Sequence, residues 1–264
     1  AGLLEGRVAI LVDGTPFVLL VPVVFVSFLQ SAEDYYQRYD LGTFIRILRF
    51  CSFFIALLLP SLYVSVATFH QELIPTSLLL HLAAQREGVP FPPIVEAFIM
   101  EIIFEVLREA GVRMPSAVGK TISIVGALVI GQAAVEAGIV SPAMVIIVSF
   151  TAITNFVIPA ISMGIAVRLL RFGFLIFTGI LGMYGIAIGL LILVLHLTSL
   201  RSFGIPYLQP FSPFMLKELK DTLFRVPLWA MDTRPFFTTK NLVRQGKDQM
   251  PEKPSGEKPR HGGE

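Results

Sequence analysis

The residues best equipped for chemistry lie in the stretch MEIIFEVLREAG, Met100 to Gly111. It sets Glu101, Glu105, Arg108 and Glu109 into an otherwise apolar chain. Paired carboxylates can act as general acid and base when they converge on a substrate with suitably shifted pKa values. At about 100° per residue these four share one helical face, side by side rather than convergent. Ile99, Ile103, Val106 and Ala110 lie opposite, with Met100 and Leu107 beside them. No nucleophile motif, phosphate loop or HExxH pair accompanies them, so no catalytic residue is assigned and an enzyme is not expected. His70, Glu72 and His81 match no metal-ligand spacing and read as a solvated connector. The single cysteine, Cys51, sits in an apolar run and reads as a buried thiol. Neither a metal nor a cofactor is expected. Ion pairs suit the charged face instead: Glu105 and Arg108 stand three apart, Glu101 and Arg108 seven apart. A merely solvated face of a surface helix is the plainer alternative.

Composition decides what kind of protein carries that helix. The chain has 264 residues, 54% hydrophobic and 15% charged, with a mean hydropathy of +0.74. Soluble domains usually carry about 25% charged residues, so the shortfall points to a polytopic membrane protein. A net charge of +2, with no dense basic run, excludes a nucleic-acid binder. The opening AGLLEGRVAI lacks an initiator methionine and a signal-peptide pattern, and reads as the interior of a longer protein.

The elements follow in order. Asp13-Gly14 separates two β-rich runs by two residues, the form of a type I′ hairpin. QSAEDYYQRYD then reads as a tyrosine-rich elbow at headgroup level. Phe50 to Phe69 is uncharged and predicts a span, kinked at Pro60. Pro93 suits the start of the charged helix and Gly111 its end. Glu96 falls in the first turn, where the helix dipole favours a carboxylate. Spanning would cost about 2.5–3.5 kcal/mol for each charge placed in hydrocarbon, so an interfacial amphipathic helix over 93–111 is predicted.

Thr121 to Val135 is uncharged between Lys120 and Glu136, short but sufficient if Lys120 snorkels. Ser123, Ala127, Gly131, Ala134 and Gly138 form a small-residue stripe fit to meet another helix. Val125, Val129, Gln132 and Glu136 lie on its other side. In GIVSPAM, Gly138 ends one helix, Ser141 caps the next and Pro142 occupies its first position. Ala143 to Val167 predicts a span carrying Thr151, Asn155 and Ser162 on one face, disrupted at Pro159. RLLR, Arg168 to Arg171, reads as a turn. Phe172 to Leu200 predicts the last span, with Gly185 and Gly189 as a packing pair.

The fold class is therefore an all-α polytopic membrane protein of about four transmembrane helices plus the interfacial helix. Residues 1–40 would be the end of a soluble domain and its elbow. Residues 41–200 would be the membrane domain, with spans near 45–70, 118–137, 142–167 and 172–199. Residues 201–240 would form a cytoplasmic segment, and 241–264 a disordered tail poor in apolar residues. Eleven Lys or Arg lie from Arg201 onward, and Arg38, Arg46 and Arg49 precede the first span. An even number of spans keeps both groups cytoplasmic, although Arg168 and Arg171 then face outward against the same rule.

Three long strings resemble the A-subunit family of GerA-type spore germinant receptors. They are FLQSAEDYYQRYDLGTFIRILRF, the run from LLPSLYVSVATFHQELIP to VLREAGVRMP, and ISIVGALVIGQAAVEAGIVSPAMVIIV. The likeness runs from about Glu5 to about Lys240. It implies a multi-pass subunit of the spore inner membrane, acting with a transporter-like B subunit and a lipoprotein C subunit. It also implies a homo-oligomeric, nutrient-gated ion channel whose opening releases monovalent cations. On that footing Val125 and Val129 are the candidate apolar constriction, and Gln132 and Glu136 the candidate acidic vestibule. The helix bearing Glu101, Glu105, Arg108 and Glu109 is then the candidate coupling element. Ordinary lipid-facing or packing roles are the bland alternative for the two valines. A secondary transporter, suggested by the break around Asn155 and Pro159, or a structural scaffold subunit is the rival reading.

Overall fold

The computed structural model describes residue 3 and residues 6–113, 129–215 and 219–227, with only the backbone of Val112. The chain divides into two compact units, residues 1–47 with 199–264, and residues 48–198.

In the first unit β1 (Val8–Leu11) pairs antiparallel with β2 (Val18–Val21), from Val8↔Val21 to Leu11↔Val18. The predicted hairpin exists, but its connection is residues 12–17, not two residues. Gly14 alone adopts positive φ, +83°, and Thr15 N–H bonds to Val12 O at 3.3 Å. A type I′ turn needs positive φ at both centres, and Asp13 does not supply it. The geometry is instead that of a glycine at the third position of a four-residue turn. A short 3-10 turn, Ala32–Tyr35, is closed by a capping box between Ser31 and Asp34. A second small ribbon pairs β3 (Arg201–Ser202) with β4 (Ile205–Pro206).

Arginines hold this unit together. Arg46 is fully buried; its Nε lies 3.4 Å from Asp34 Oδ2 and its Nη1 3.2 Å from Asp221 Oδ1. Arg46 Nη1 also donates to the Asp221 carbonyl. Arg225 donates to the carbonyls of Asp34 and Gln37, and its own N–H bonds Thr43 Oγ1 at 3.0 Å. The segment around 221–225 is thereby fastened to the elbow and to the start of α1.

Helix α1 (Tyr39–Thr68) continues through Pro60; its residues 48–68 belong to the second unit. Cys51 is exposed rather than buried, because it lies on the outer apolar face of that helix. The second unit adds α2 (Thr76–Arg86), α3 (Pro93–Arg113), a helical stretch at 129–136, α4 (Pro142–Phe156), α5 (Ile161–Leu181) and α6 (Met183–Ser199). Its core joins Val64 of α1, Ala97 and Met100 of α3, Val140, Met144 and Val148 at α4, and Leu175 of α5.

Among the described residues two helices, α1 and α5, are long and apolar enough to cross a membrane; α4 and α6 are shorter apolar helices. The helix boundaries differ from the predicted spans near 142–167 and 172–199. The breaks fall at 157–160 and at Gly182, whose φ is +59°, while Arg168 and Arg171 lie inside α5 rather than in a turn. Ser141 caps α4 as predicted, accepting from Met144 N–H, with Pro142 in the first position and Gly138 at φ +66°. The predicted disordered tail lies outside the described residues.

Candidate functional site

Positions 94, 98, 101, 105 and 108 recur at three- and four-residue intervals and so form one stripe of α3. That stripe meets α5 in antiparallel order. A Cβ on Gly179 would collide with Ile94, and the rings of Phe98 and Phe172 lie 6.1 Å apart. Glu101 Oε2 lies 2.8 Å from Arg171 Nη2, and Glu105 Oε2 3.1 Å from Arg168 Nε. Arg108 sits over the ring of Phe156, the last residue of α4, at 5.1 Å. The seam is apolar at one end and ionic at the other.

Burial decides what these charges do. The Glu101 and Arg171 side chains are 1% and 5% exposed, whereas Glu105 is 41% exposed. The charged face expected to be solvated is turned inward at Glu101, and Ile102 and Val106 are exposed instead. Two ion pairs and the Ile94 and Phe98 contacts hold α3 along α5. Glu109 stays outside and pairs with Arg113, four residues on, at 2.7 Å. The inner pair is only half-engaged: Glu101 Oε1 and Arg171 Nε make no hydrogen bond among the described residues. Leaving those two atoms unpaired in a low-dielectric place costs part of what the pair contributes.

Glu96 does more than complement a helix dipole. Its Oε2 accepts from both the N–H and the Oγ of Ser141, each at 2.8 Å, and its Oε1 lies 3.3 Å from Arg86 Nη2. One buried carboxylate thus ties α2, α3 and the start of α4.

The helical stretch 129–136 has two faces. Gly131 packs on Val145, and Ala134 and Val135 pack against the core, so Gly131 and Ala134 of the small-residue stripe meet α4 and the core. Val129, 57% exposed, Gln132 and Glu136 are uncovered, and Gln132 Nε2 donates to Glu136 Oε1 at 2.9 Å. Ser123, Val125 and Ala127 lie outside the described residues.

At the α4–α5 break, Thr151, Thr154 and Asn155 are buried, and the Asn155 amide rests against Gly164. Ser162 does not join that face; it begins a new helix and is exposed. Gly185 lies under the Phe177 carbonyl and Gly189 against the Phe174 ring, so both face α5. His70 meets the ring of Tyr184 at 6.5 Å, and no group of three or more potential metal ligands occurs among the described residues.

Sequence reasoning missed Arg168 and Arg171 as partners of α3. Their three-residue spacing, matched to the four-residue spacing of Glu101 and Glu105, was the available signal.

A family model described as Bacillus/Clostridium GerA spore germination protein matches residues 1–237. The chain is 61% identical over 251 residues to spore germination protein KA of Bacillus subtilis (strain 168), covering 95% of this chain and 46% of that protein. It is 56% identical over 235 residues to the uncharacterized membrane protein YfkQ of the same organism, covering 89% and 46%. It is 46% identical over 250 residues to spore germination protein GerLA of Bacillus cereus, covering 94% and 51%. The chain spans about half the length of the curated relatives it matches. No solved structure matches it.

Proposed function

The chain belongs to the GerA family of spore germination proteins, and from that premise we propose that it is the membrane part of a nutrient-responsive germination receptor subunit, several copies of which enclose a gated path for cations. The observation that carries this reading is the two-faced stretch 129–136. One face is anchored on α4 and the core, while Val129, Gln132 and Glu136 are left uncovered in line. An apolar residue beside an amide and a carboxylate suits a constriction that dewets when closed, followed by a vestibule that favours cations.

In this reading α3 is the coupling element. Displacing it along α5 would exchange the partners of Glu101 and Glu105, and the core contacts of Met100 and Ala97 would carry that shift to the helices beside 129–136. A transporter-like subunit and a lipoprotein subunit would complete the receptor in the spore inner membrane, with both ends of this chain cytoplasmic. Nutrient recognition would rest with the transporter-like partner.

The test is Val129→Ala in the full-length protein within its receptor. We expect a smaller side chain to leak cations, read as raised basal conductance or premature germination. Wild-type behaviour in both assays would remove Val129 from the gate. A second reading, a secondary transporter, draws on the break at 157–160 with buried Asn155 beside it. A symmetric oligomer with an axial hole favours the channel; a single copy with substrate-coupled uptake favours the transporter.

A further inference from the structure

Among the described residues, the ionic end of the α3–α5 seam is not electrically balanced. Three guanidiniums, Arg108, Arg168 and Arg171, face two carboxylates, Glu101 and Glu105. Glu109, the next carboxylate on α3, is taken by Arg113 outside the seam. Arg108 makes no ion pair among the described residues; it rests on the Phe156 ring, is attracted by Glu105 and Glu101 and is repelled by Arg168 and Arg171. Among the described residues the guanidiniums outnumber the carboxylates by one in a partly desolvated place, where an anion would offset the excess.

Access and surroundings narrow the anion. Glu101 and Arg171 are closed off, but Glu105 is 41% and Arg168 16% exposed, so the seam opens at the Arg108–Arg168 end. That opening is flanked by exposed apolar side chains, Phe156 and Leu169 at 75%, Ile153 at 62% and Ile165 at 53%. A water-borne anion gains nothing from such a collar. A phosphate carrying acyl chains gains both contacts, since guanidinium forks match phosphate oxygens and the chains cover the apolar rim.

We propose that Arg108 and Arg168 hold the phosphate of an anionic membrane phospholipid at the open end of the α3–α5 seam. The lipid then stands beside the very pairs that fix α3 on α5, and its presence favours that docking. The site is independent of whether residues 129–136 face a pore.

The test is retention of lipid by the full-length protein in neutral detergent, counted by native mass spectrometry after exposure to phosphatidylglycerol or phosphatidylcholine. The wild type should keep phosphatidylglycerol selectively. Arg108→Gln should weaken that retention by about tenfold, as losing one charge-assisted contact implies, while Arg113→Gln leaves it unchanged. Arg108→Lys, which keeps the charge but not the fork, should fall between them and serves if Arg108→Gln fails to fold. Equal retention of the two lipids by the wild type, or wild-type retention by the folded Arg108 variants, overturns the proposal. Full displacement of the lipid by inorganic phosphate assigns the site to a free anion and overturns the lipid assignment.

Discussion

Glu101 on α3 and Arg171 on α5 form a buried ion pair, 2.8 Å between Oε2 and Nη2, near the middle of a helix apolar enough to cross a membrane. Removing one partner of such a pair strands the other charge, at about 3–5 kcal/mol, whereas replacing both by apolar groups is close to neutral. Glu101→Leu or Arg171→Leu alone should therefore destabilise the full-length protein strongly. The double variant should recover most of the loss. Thermal unfolding of all three in detergent makes a double-mutant cycle; additive losses would mean that the two side chains do not act as a pair.

The Glu96–Ser141 contact gives a graded series. Ser141→Ala removes the cap that accepts from Met144 N–H and one donor to Glu96, but leaves the backbone bond to Glu96 in place. Its cost should be about 1 kcal/mol. Glu96→Ala takes the acceptor from both Ser141 donors at a buried site, at about 1–3 kcal/mol for each group left unsatisfied. Hydrogen exchange at the first turn of α4 should rise in both variants and more in Glu96→Ala. Equal protection would show that the cap alone holds that turn.

Local chemistry was legible in the sequence wherever the signal was local. Gly138, Ser141 and Pro142 end one helix and begin the next as their backbone preferences dictate. Asn155 and Pro159 marked a disruption, which the structure resolves into two helices, so Ser162 no longer continues the face of Thr151. The hairpin was legible from its apolar runs, while its loop was not, because a type I′ turn depends on an Asp13 conformation the chain does not adopt. Arg168 and Arg171 were misread for a different reason. Two charges between apolar runs look like a loop until a partner helix supplies carboxylates, and no periodicity within α5 encodes α3. For the same reason, the outward-facing arginines that counted against the predicted topology no longer sit in a loop between spans.

Close helix contact between α5 and α6 makes a clean glycine comparison. A Cβ on Gly185 would meet the backbone carbonyl of Phe177, which cannot swing aside like a side chain. Gly185→Ala should thus destabilise by about 1–3 kcal/mol through overpacking. Gly173, within α5, has nothing within 4 Å of the same position, so Gly173→Ala should be neutral or stabilising by up to about 1 kcal/mol. Melting temperatures that fall for both variants would argue against the packing account.

Alkaline pH should loosen the other unit through Tyr35. Its hydroxyl donates to Asp221 Oδ2 at 2.9 Å, and its ring lies under Arg225 and beside Arg46, at 5.1 and 5.7 Å from the guanidinium carbons. Partial burial, then the Asp221 charge, pushes its pKa up to about 12 from the ordinary 10.0. Between those values the folded chain holds a proton that the unfolded chain has lost, so stability falls as pH rises above about 10 and is unaffected by this group below that. Tyr35→Phe keeps the ring against both arginines but has no proton to lose. It should cost about 1 kcal/mol at neutral pH from the missing hydrogen bond and should flatten the decline above pH 10. A wild-type decline that persists unchanged in Tyr35→Phe would place the alkaline sensitivity elsewhere.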